Sequence, residues 1–266
     1  MSVTQSHPLV GLGSDLKDKV ALVTGASRGI GRAVAIKLAS LGATVAINYV
    51  NNRTKANETS EEIKKLGSTA ILVQGDVSKE SDAISIVQET IIAFGHIDIL
   101  VNNAGIYGSS PIELITTEQY RAITSVNIDG PFFVTRAAVP HIQKNGTIIN
   151  ISSIGSKSMY PNISVYAMTK GALEGFTRAL AVELGPKLVR VNCISPGYTD
   201  SDLLSGADDV LMKHAVETSF FKRLGTPEDI AEVAAFLAVP RSGAWITGAN
   251  ILANGGASNV GGAFSI

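Results

Sequence analysis

Apolar segments of two kinds alternate along this chain. Short, nearly continuous apolar runs rich in β-branched residues predict buried strands, and the segments between them carry apolar residues at helical spacing. Strands are predicted at 19–24, 44–50, 69–74, 97–101, 146–153, 189–194 and 249–253. Helices are predicted at 32–41, 54–66, 82–94, 118–143, 167–184, 208–217 and 227–237, the fourth interrupted near Gly130 and Pro131.

This alternation predicts the fold class. Apolar strands that alternate with helices are typical of a parallel sheet covered on both faces. We therefore expect an α/β fold: a single Rossmann-type, doubly wound parallel sheet of about seven strands with helices on both faces. Residues 16–266 are expected to form this one domain, since no linker or repeat interrupts them. Residues 1–15 lack the features of a signal peptide and are expected to be a flexible arm.

A glycine-rich loop, TGASRGIG at 24–31, follows the first predicted strand and opens the first helix. In a βαβ unit such a loop lets the backbone approach a pyrophosphate, which the N–H groups and dipole at the helix start favour. Without that context the same glycines would predict only a tight turn. The candidate dinucleotide-binding residues of this loop are Gly25, Ser27, Arg28, Gly29, Ile30 and Gly31.

The end of the second predicted strand would lie beside the adenosine ribose in this layout. NAD sites usually carry Asp or Glu there, whereas this chain has the uncharged run 48–52, followed by Arg53. Because no carboxylate would repel a 2′-phosphate, and Arg28 and Arg53 are nearby in sequence, the segment favours NADP. The alternative is an ordinary solvated loop. The candidate residues are Asn48, Tyr49, Asn51 and Asn52.

Tyr166 and Lys170 stand four residues apart where the helix 167–184 begins, so both side chains would lie on one face. A nearby ammonium favours the phenolate, and we therefore expect Lys170 to lower the pKa of Tyr166. Such a phenol can transfer a proton to a carbonyl oxygen near neutral pH. Taken alone, the pair is far more typical of a surface tyrosine beside a solvated lysine, and only the surrounding motifs favour catalysis.

Composition and charge argue against several classes of function. The 266 residues have a net charge of −1, which gives no reason to expect nucleic acid or an anionic membrane surface as a partner. No apolar run is long enough to span a bilayer, and the four histidines are scattered without metal-ligand spacing. The scattered histidines lead us to expect no metal. The single cysteine rules out an intrachain disulfide and fits a reducing compartment, so we expect a cytoplasmic protein.

In combination, these motifs resemble those of the classical short-chain dehydrogenases/reductases, over residues 16–256. The matching features are TGASRGIG at 24–31, NNAG at 102–105, Asn127 on the long helix, Ser153 thirteen residues before Tyr166, and Lys170. The run 48–52, NYVNN, resembles NADPH-dependent fungal polyketide reductases and bacterial glucose dehydrogenases. One departure is Ser201, where the family often has threonine, but a serine hydroxyl can still donate.

The resemblance implies roles for individual residues. Tyr166 would be the general acid, Ser153 would hydrogen-bond the carbonyl oxygen, Lys170 would hold the nicotinamide ribose, and Asn127 would position a water. The resemblance places further cofactor contacts at Asp76, Val77, Asn103, Ala104, Gly105, Tyr166, Lys170, Pro196, Gly197, Thr199 and Ser201. It also implies a homotetramer or homodimer, and the helix 167–184 is apolar on more than one side, which gives modest support.

The predicted function is NADPH-dependent reduction of a ketone of a small hydrophobic metabolite to an alcohol. Three alternatives stay open: an NAD(P)-dependent alcohol dehydrogenase, a fold recruited to a non-redox step, and a nucleotide-binding scaffold. No motif encodes the substrate, so we expect apolar and aromatic residues after the fifth and sixth strands to line its pocket. These residues are Met159, Tyr160, Tyr198, Leu203, Leu204, Met212, Phe220 and Phe221.

Overall fold

The computed structural model describes residues 15–157, 160–202, 204 and 209–257. Its strands are β1 Val20–Val23, β2 Thr44–Tyr49, β3 Ala70–Gln74, β4 Ile97–Asn102, β5 Ile142–Ile151, β6 Arg190–Pro196 and β7 Asn250–Ala253. They form one parallel sheet in the order β3-β2-β1-β4-β5-β6-β7, which confirms the predicted fold class. The predicted arm, apart from Asp15, lies outside the described residues, and the division into arm and domain stays a prediction.

Helices cover both faces of this sheet. They are α1 Gly29–Ser40, α2 Arg53–Lys65, α3 Glu80–Phe94, α4 Thr117–Thr124, α5 Gly130–Ala138, α6 Ser164–Leu184, α7 Asp209–Thr218 and α8 Pro227–Ala238. One core contains buried side chains of α1, α2 and α8, and the other contains those of α3, α5 and α6. Within the described ranges, none of these helices has the length and apolar character that a membrane span requires.

The central strands are largely apolar because they face both cores. In β1, Ala21 and Val23 pack into the core beneath α1 and α8, whereas Leu22 packs into the core beneath α3, α5 and α6. In β4, Val101 and Leu100 divide between the two cores in the same way. Since successive side chains of a strand point to opposite faces, a central strand with two covered faces has no polar side.

The strand order also fixes where a ligand can bind. The chain runs outward from β1 through β2 to β3, and then returns to the other side of β1 with β4. At this switch point the connections leave β1 and β4 in opposite directions, which opens a crevice beyond their carboxyl ends. The glycine loop and the NNAG segment both begin at that crevice.

Buried polar side chains tie the sheet to the helices below this edge. The Asn102 amide nitrogen donates to the Thr135 hydroxyl on α5 and to the Asn150 side-chain oxygen on β5, both at 2.9 Å. The Asn150 amide in turn donates to the Thr177 hydroxyl on α6, also at 2.9 Å. These contacts join β4, β5, α5 and α6, and they account for the polar residues at the end of otherwise apolar strands.

The long helix predicted at 118–143 is interrupted about where expected, but its predicted C-terminal end is wrong. It is divided by a π-helical turn, Ser125–Asp129, which lies just before the expected interruption at Gly130 and Pro131. It also ends at Ala138, followed by a 3-10 turn, because Pro140 cannot continue a helical hydrogen-bond pattern. Ile142 instead pairs with Ile97, so the predicted helix end is the beginning of β5. This pairing joins residues distant in sequence, which local periodicity does not report.

Candidate active site

α6 presents the two ionisable side chains at the centre of the site. Tyr166 and Lys170 lie one turn apart on its buried face, with exposed fractions of 7% and 5%. The Lys170 ammonium nitrogen lies 5.7 Å from the centroid of the Tyr166 ring and donates to the Ile151 carbonyl, 3.0 Å away. The prediction that phenol and ammonium share one face is confirmed, and the alternative of a solvated surface pair is wrong.

Ser153 follows β5 and leads into a 3-10 turn, Ile154–Ser156. Its hydroxyl accepts from the Gly155 N–H at 3.0 Å and is near enough to the Tyr166 phenol to act on its pKa. A Cβ at Gly155 would lie 3.1 Å from Tyr166 Cε1 and 3.2 Å from Ser153 Oγ, so the turn packs directly on the ring edge. This packing holds the two hydroxyl groups side by side.

Burial controls the protonation of both ionisable side chains. It raises the pKa of Tyr166, against a lowering by the Ser153 hydrogen bond, and Tyr107 adds to the rise. The expectation that Lys170 lowers the pKa of Tyr166 is therefore wrong in direction for this structure. Burial also lowers the pKa of Lys170 to about 8, so desolvation weakens the charge that was expected to act on the phenol.

Asn127 lies in the π-helical turn between α4 and α5. Its buried amide accepts from the Ile106 N–H at 2.9 Å and donates to the Ile106 carbonyl at 2.9 Å and to the Thr169 hydroxyl at 3.2 Å. The side chain thus positions the loop after β4.

The glycine loop packs against the segment after β4. Gly25 and Gly29 have φ of +62° and +54°, a left-handed backbone that glycine adopts without strain. A Cβ at Gly31 would overlap the Asn103 amide and the Gly25 carbonyl. Asn103 Nδ2 donates to the Thr24 carbonyl at 2.9 Å, and the Thr24 hydroxyl accepts from the Asn103 N–H at 3.0 Å. Such a bare backbone at the start of α1 fits the predicted pyrophosphate.

Ala104 and Gly105 connect this loop to the catalytic side chains. Ala104 lies against the glycine loop, where a Cβ at Gly25 would approach its Cα to 3.0 Å. A Cβ at Gly105 would lie 3.3 Å from Asn127 Oδ1 and 3.4 Å from Lys170 Nζ. The predicted cofactor and catalytic residues therefore meet along one segment. Ser27 and Ile30 are half-buried in the same glycine loop.

Asn48 is 1% exposed and its amide is fully engaged by the main chain. It accepts from the Gly25 N–H at 3.1 Å and donates to the carbonyls of Val73 at 3.3 Å and Gly75 at 3.0 Å. Its contribution to a cofactor site is therefore to hold the glycine loop against β3. Tyr49 is also buried, with 2% exposed, so neither side chain of this predicted pair is at the surface.

The surface beyond β2 carries the charge predicted for a 2′-phosphate site. Asn51, Asn52 and Arg53 are exposed, and Asn52 caps α2. Arg28 is also exposed, and its guanidinium forms an ion pair of 3.1 Å with Asp202 from the segment after β6. Arg53 thus begins the helix that follows β2, and Arg28 in the glycine loop is already paired with a carboxylate across the crevice.

Two further predicted cofactor residues follow β3. The Asp76 carboxylate accepts from the N–H and the hydroxyl of Ser78, at 3.0 Å and 2.7 Å. Val77 is buried beside Gly130, where a Cβ would lie 2.8 Å from Val77 Cγ2. The carboxylate is therefore fixed by its own turn, and the Val77 side chain serves packing.

The segment after β6 completes the crevice. Pro196 ends β6, and the Thr199 hydroxyl donates to the Gly197 carbonyl at 3.0 Å. The Ser201 hydroxyl donates to the Thr199 carbonyl at 3.3 Å. A Cβ at Gly29 would lie 3.6 Å from Ser201 Cβ, so this segment reaches across to the glycine loop. All the predicted cofactor residues thus gather at the carboxyl edge of the sheet.

Aromatic side chains form a cluster that includes Tyr107 beside Tyr166. The Tyr107 ring packs edge-on at 5.2 Å from the Tyr166 ring, and the His214 ring lies 5.5 Å from Tyr160 and 6.0 Å from Tyr198. Burial raises the pKa of Tyr198 to about 12, and the nearby Tyr160 and Tyr107 add to the rise. Four of the six tyrosines of the chain therefore converge here, from four different segments.

The predicted substrate lining is only partly brought together. Tyr160 and Tyr198 belong to the aromatic cluster, whereas Phe220 and Phe221 lie beside the glycines that follow β7 and are 61% and 72% exposed. Leu204 and Met212 are half-buried, and Met159 and Leu203 lie outside the described residues.

Sequence reasoning missed three residues beside the predicted site: Tyr107, Glu174 and His214. Glu174 lies four residues after Lys170, so position alone could have indicated it. Tyr107 and His214 carry no local signal, because only the fold brings Tyr107 to Tyr166 and His214 to Tyr160 and Tyr198. Among the described residues, no group of three or more His, Cys, Asp or Glu side chains is placed to bind a metal.

Comparison with known proteins places this arrangement in a family. A family model described as enoyl-(acyl carrier protein) reductase matches residues 25–258. An uncharacterized oxidoreductase of Methylorubrum extorquens is 44% identical over 246 residues, covering 91% of this chain and 99% of that protein. The short-chain dehydrogenase/reductase FrzI of Cladobotryum sp is 43% identical over 249 residues, covering 91% and 96%. The solved structure of angucycline C-6 ketoreductase LanV with bound NADP is 36% identical, covering 92% and 98%, with a TM-score of 0.88.

The crevice at the carboxyl edge and the Tyr166–Lys170 pair are typical of oxidoreductases built on a doubly wound sheet. The chain belongs to the short-chain dehydrogenase/reductase family of oxidoreductases. The resemblance inferred from its motifs is thereby confirmed, whereas the roles of the individual site residues stay predictions.

Proposed function

We propose that this protein is an NADPH-dependent reductase that converts a ketone of a small hydrophobic metabolite to an alcohol. The observation that carries the proposal is the juxtaposition of the Ser153 hydroxyl, the buried Tyr166 phenol and the Lys170 ammonium beside the glycine loop. When bound, the dinucleotide supplies a hydride for the carbonyl carbon. The protein's own residues have to hold the ketone and provide a proton for its oxygen.

Tyr166 is suited to provide that proton. Burial raises the pKa of its phenol, so the group holds its proton at neutral pH and acts as an acid. The Ser153 hydroxyl next to it would donate a second hydrogen bond to the same carbonyl oxygen and stabilise the developing negative charge.

Lys170 and Asn127 would serve the cofactor and the proton supply. The Lys170 ammonium lies beside Gly105 and would donate to the hydroxyls of the nicotinamide ribose. Asn127 would position a water that returns a proton to the site, as the family resemblance implies. Cofactor choice would follow Arg28 and Arg53, whose positive charges suit a 2′-phosphate.

The aromatic cluster supports a hydrophobic substrate. Tyrosine rings offer flat apolar faces with a polar tip, and such pockets suit a substrate with an apolar body and few polar groups. Tyr107, Tyr160 and Tyr198 would contact the body of the ketone while its carbonyl oxygen reaches Tyr166. The relationship to LanV, a ketoreductase solved with NADP, supports both the reaction and the cofactor.

The test is NADPH oxidation by the purified protein with a panel of aryl, bicyclic and aliphatic ketones. We expect turnover with ring-bearing ketones, tighter binding of NADPH than of NADH, and a loss of at least about 100-fold in kcat for Tyr166→Phe, the size typical of a missing general acid. NADPH binding should persist in Tyr166→Phe because the ring remains.

The matched control is Tyr120→Phe, which changes an exposed tyrosine on α4 and should retain full activity. Turnover by Tyr166→Phe above a few per cent of the wild-type rate would remove Tyr166 as the acid. Equal dissociation constants for NADPH and NADH in the unmodified protein would remove the cofactor assignment.

We also propose that the protein acts in the cytoplasm as a homotetramer or homodimer. Apolar side chains on α5 and α6, among them Phe132, Met168 and Val182, are exposed on the single chain. A second copy related by a two-fold axis would cover them.

A further inference from the structure

Glu174 extends the line of ionisable residues on α6. Tyr166, Lys170 and Glu174 follow one another at intervals of four, which places them along one helical face. Glu174 is only 9% exposed, and a carboxylate this far from water needs charged or hydrogen-bonding partners. The proposed chemistry assigns it no part.

The Glu174 carboxylate has such partners on three neighbouring segments. It forms an ion pair of 2.5 Å with Lys157 and accepts from the hydroxyl of Ser156. It also lies 3.3 Å from the Ser152 hydroxyl at the end of β5 and 3.4 Å from the Ser195 hydroxyl on β6. Burial acts to raise the pKa of Glu174, but the hydrogen bonds from Lys157, Ser156 and Ser152 together lower it, so the carboxylate is ionised at neutral pH.

Two of these partners flank Ser153. The Ser152 hydroxyl contacts both Glu174 and the Lys170 carbonyl, at 3.3 Å and 3.1 Å. The Ser156 hydroxyl bonds to Glu174 and also lies 2.9 Å from the Ser153 carbonyl. The Glu174 carboxylate therefore binds the chain on both sides of Ser153, through Ser152 before it and Ser156 after it.

The segment 152–156, which Glu174 holds by these hydrogen bonds, also contacts the Tyr166 phenol ring. The turn Ile154–Ser156 places Gly155 on the edge of the Tyr166 ring and directs the Gly155 N–H to the Ser153 hydroxyl. Movement of this turn by a fraction of an ångström would change the distance between the Ser153 and Tyr166 hydroxyls. Misplacement of a reacting group by about 1 Å can cost about 100-fold in rate.

We propose that Glu174 is a positioning residue that fixes the Ser152–Ser156 segment and thereby sets the position of the Ser153 hydroxyl beside Tyr166. The rate effect of this role rests on the proposed reductase function. The effect on the segment itself does not, because it exists in the folded chain before any ligand binds. Two measurements therefore test it independently.

The first measurement is hydrogen exchange of the peptide containing residues 152–157 in the protein without NADPH. Glu174→Gln removes the charge at nearly constant shape and should speed exchange there by at least about fivefold, since the Gly155 and Ser156 N–H groups lose a fixed acceptor geometry. Glu183→Gln, an exposed glutamate on the same helix, is the matched control and should leave exchange unchanged.

The second measurement is a double-mutant cycle on kcat with the ketone found by the panel. Glu174→Gln should lower kcat by about tenfold and leave the NADPH dissociation constant within about twofold. In a Ser153→Ala background the same change should cost less than about twofold, because its effect acts through the missing hydroxyl. A change that only loosens the fold would add its full cost in both backgrounds.

Unchanged exchange at 152–157, or equal rate losses with and without the Ser153 hydroxyl, would overturn the proposal. If Glu174→Gln does not fold, Ser156→Ala provides the same test. It removes the hydrogen bond from Ser156 to Glu174 and leaves the ion pair of Glu174 with Lys157. If Tyr166→Phe stays active, the reductase function fails, and the exchange measurement alone decides the role of Glu174.

Discussion

At the scale of single residues, Tyr166 and Lys170 carry opposite pKa shifts of one origin. Both lie within the fold, and removal of water penalises the charged form of each, which raises the pKa of the phenol and lowers that of the ammonium to about 8. The Tyr166 phenol therefore keeps its proton at neutral pH, whereas the Lys170 ammonium releases its proton near pH 8. Both properties come from the packing around α6, since an exposed pair with the same spacing would have neither.

The shift at Lys170 predicts a dependence of stability on pH. Below pH 8 the lysine is charged in both folded and unfolded chains, and the folded chain bears the full cost of the buried charge. Between the folded pKa of about 8 and the ordinary lysine pKa of 10.5, the folded chain releases its proton first, so stability rises with pH. At about 1.4 kcal/mol per pKa unit, the gain is on the order of 3 kcal/mol.

Urea unfolding of the wild type and of Lys170→Met from pH 7 to about 10.5 measures this gain. The free energy of unfolding of the wild type should rise relative to the variant, and contributions from other groups cancel in the difference. A difference that is flat across this range, or that falls, would show that the ammonium is not desolvated as the structure indicates.

At the scale of elements, the glycine loop and the segment after β4 form one unit. Thr24 and Asn103 exchange hydrogen bonds between the two segments, and Asn48 ties the loop to β3. Gly31 sits where α1 begins and has no room for a side chain. The shape that would receive a pyrophosphate is therefore determined by contacts between three strand ends, although each segment looks like an independent turn in the sequence.

Gly31→Ala tests this close packing. In an open helix the change would stabilise the protein by about 1 kcal/mol, because alanine is the better helix former. Here the added Cβ overlaps the Asn103 amide and the Gly25 carbonyl, so we expect a loss of about 1–3 kcal/mol in the free energy of unfolding. NADPH binding should weaken by at least about tenfold, since displacement of the loop removes N–H groups from the phosphates.

Ser40→Ala at the exposed end of the same helix is the matched control and should alter neither quantity by much. Calorimetric or fluorescence titration with NADPH, beside urea unfolding, reads both effects. An increase in stability for Gly31→Ala would mean that the loop is not packed against Asn103.

At the scale of the whole molecule, the outer surface of α5 and α6 is unusually apolar for a single chain. Val182 is 78% exposed, Met168 is 46% exposed, and Phe132 on α5 is 43% exposed. Gly171 on α6 has no side chain, and the space where its Cβ would stand is open, with no atom within 4 Å. Small and apolar residues on an open helix face allow close approach of a matching helix, which supports the proposed oligomer.

Light scattering at micromolar concentration should give a mass of two or four times the 27.7 kDa of one chain. Val182→Glu places a charge in the proposed interface and should shift the mass toward that of smaller species on dilution. Ile92→Glu on α3, a side chain 85% exposed, is the matched control and should leave the mass unchanged. A monomer in the unmodified protein, or equal effects of both changes, would contradict an interface on α6.

The sequence by itself determined the type and order of the elements, the fold class and the family. Periodicity is a local property, and apolar runs separated by amphipathic segments allow few arrangements other than a covered parallel sheet. Motifs at strand ends located the crevice, because all carboxyl ends of a parallel sheet meet at one edge. The placement of Tyr166 and Lys170 on one face followed from helix geometry alone.

Only the tertiary structure decided which side chains are buried and what they contact. The direction of the Tyr166 shift depends on desolvation, Asn48 proved to hold the glycine loop from within, and the helix expected at 118–143 ended early because Ile142 pairs with Ile97. The aromatic cluster and the hydrogen bond between Ser156 and Glu174 likewise join segments that are separated in sequence. Burial and long-range contact arise from the packed chain as a whole, and no local window of residues contains them.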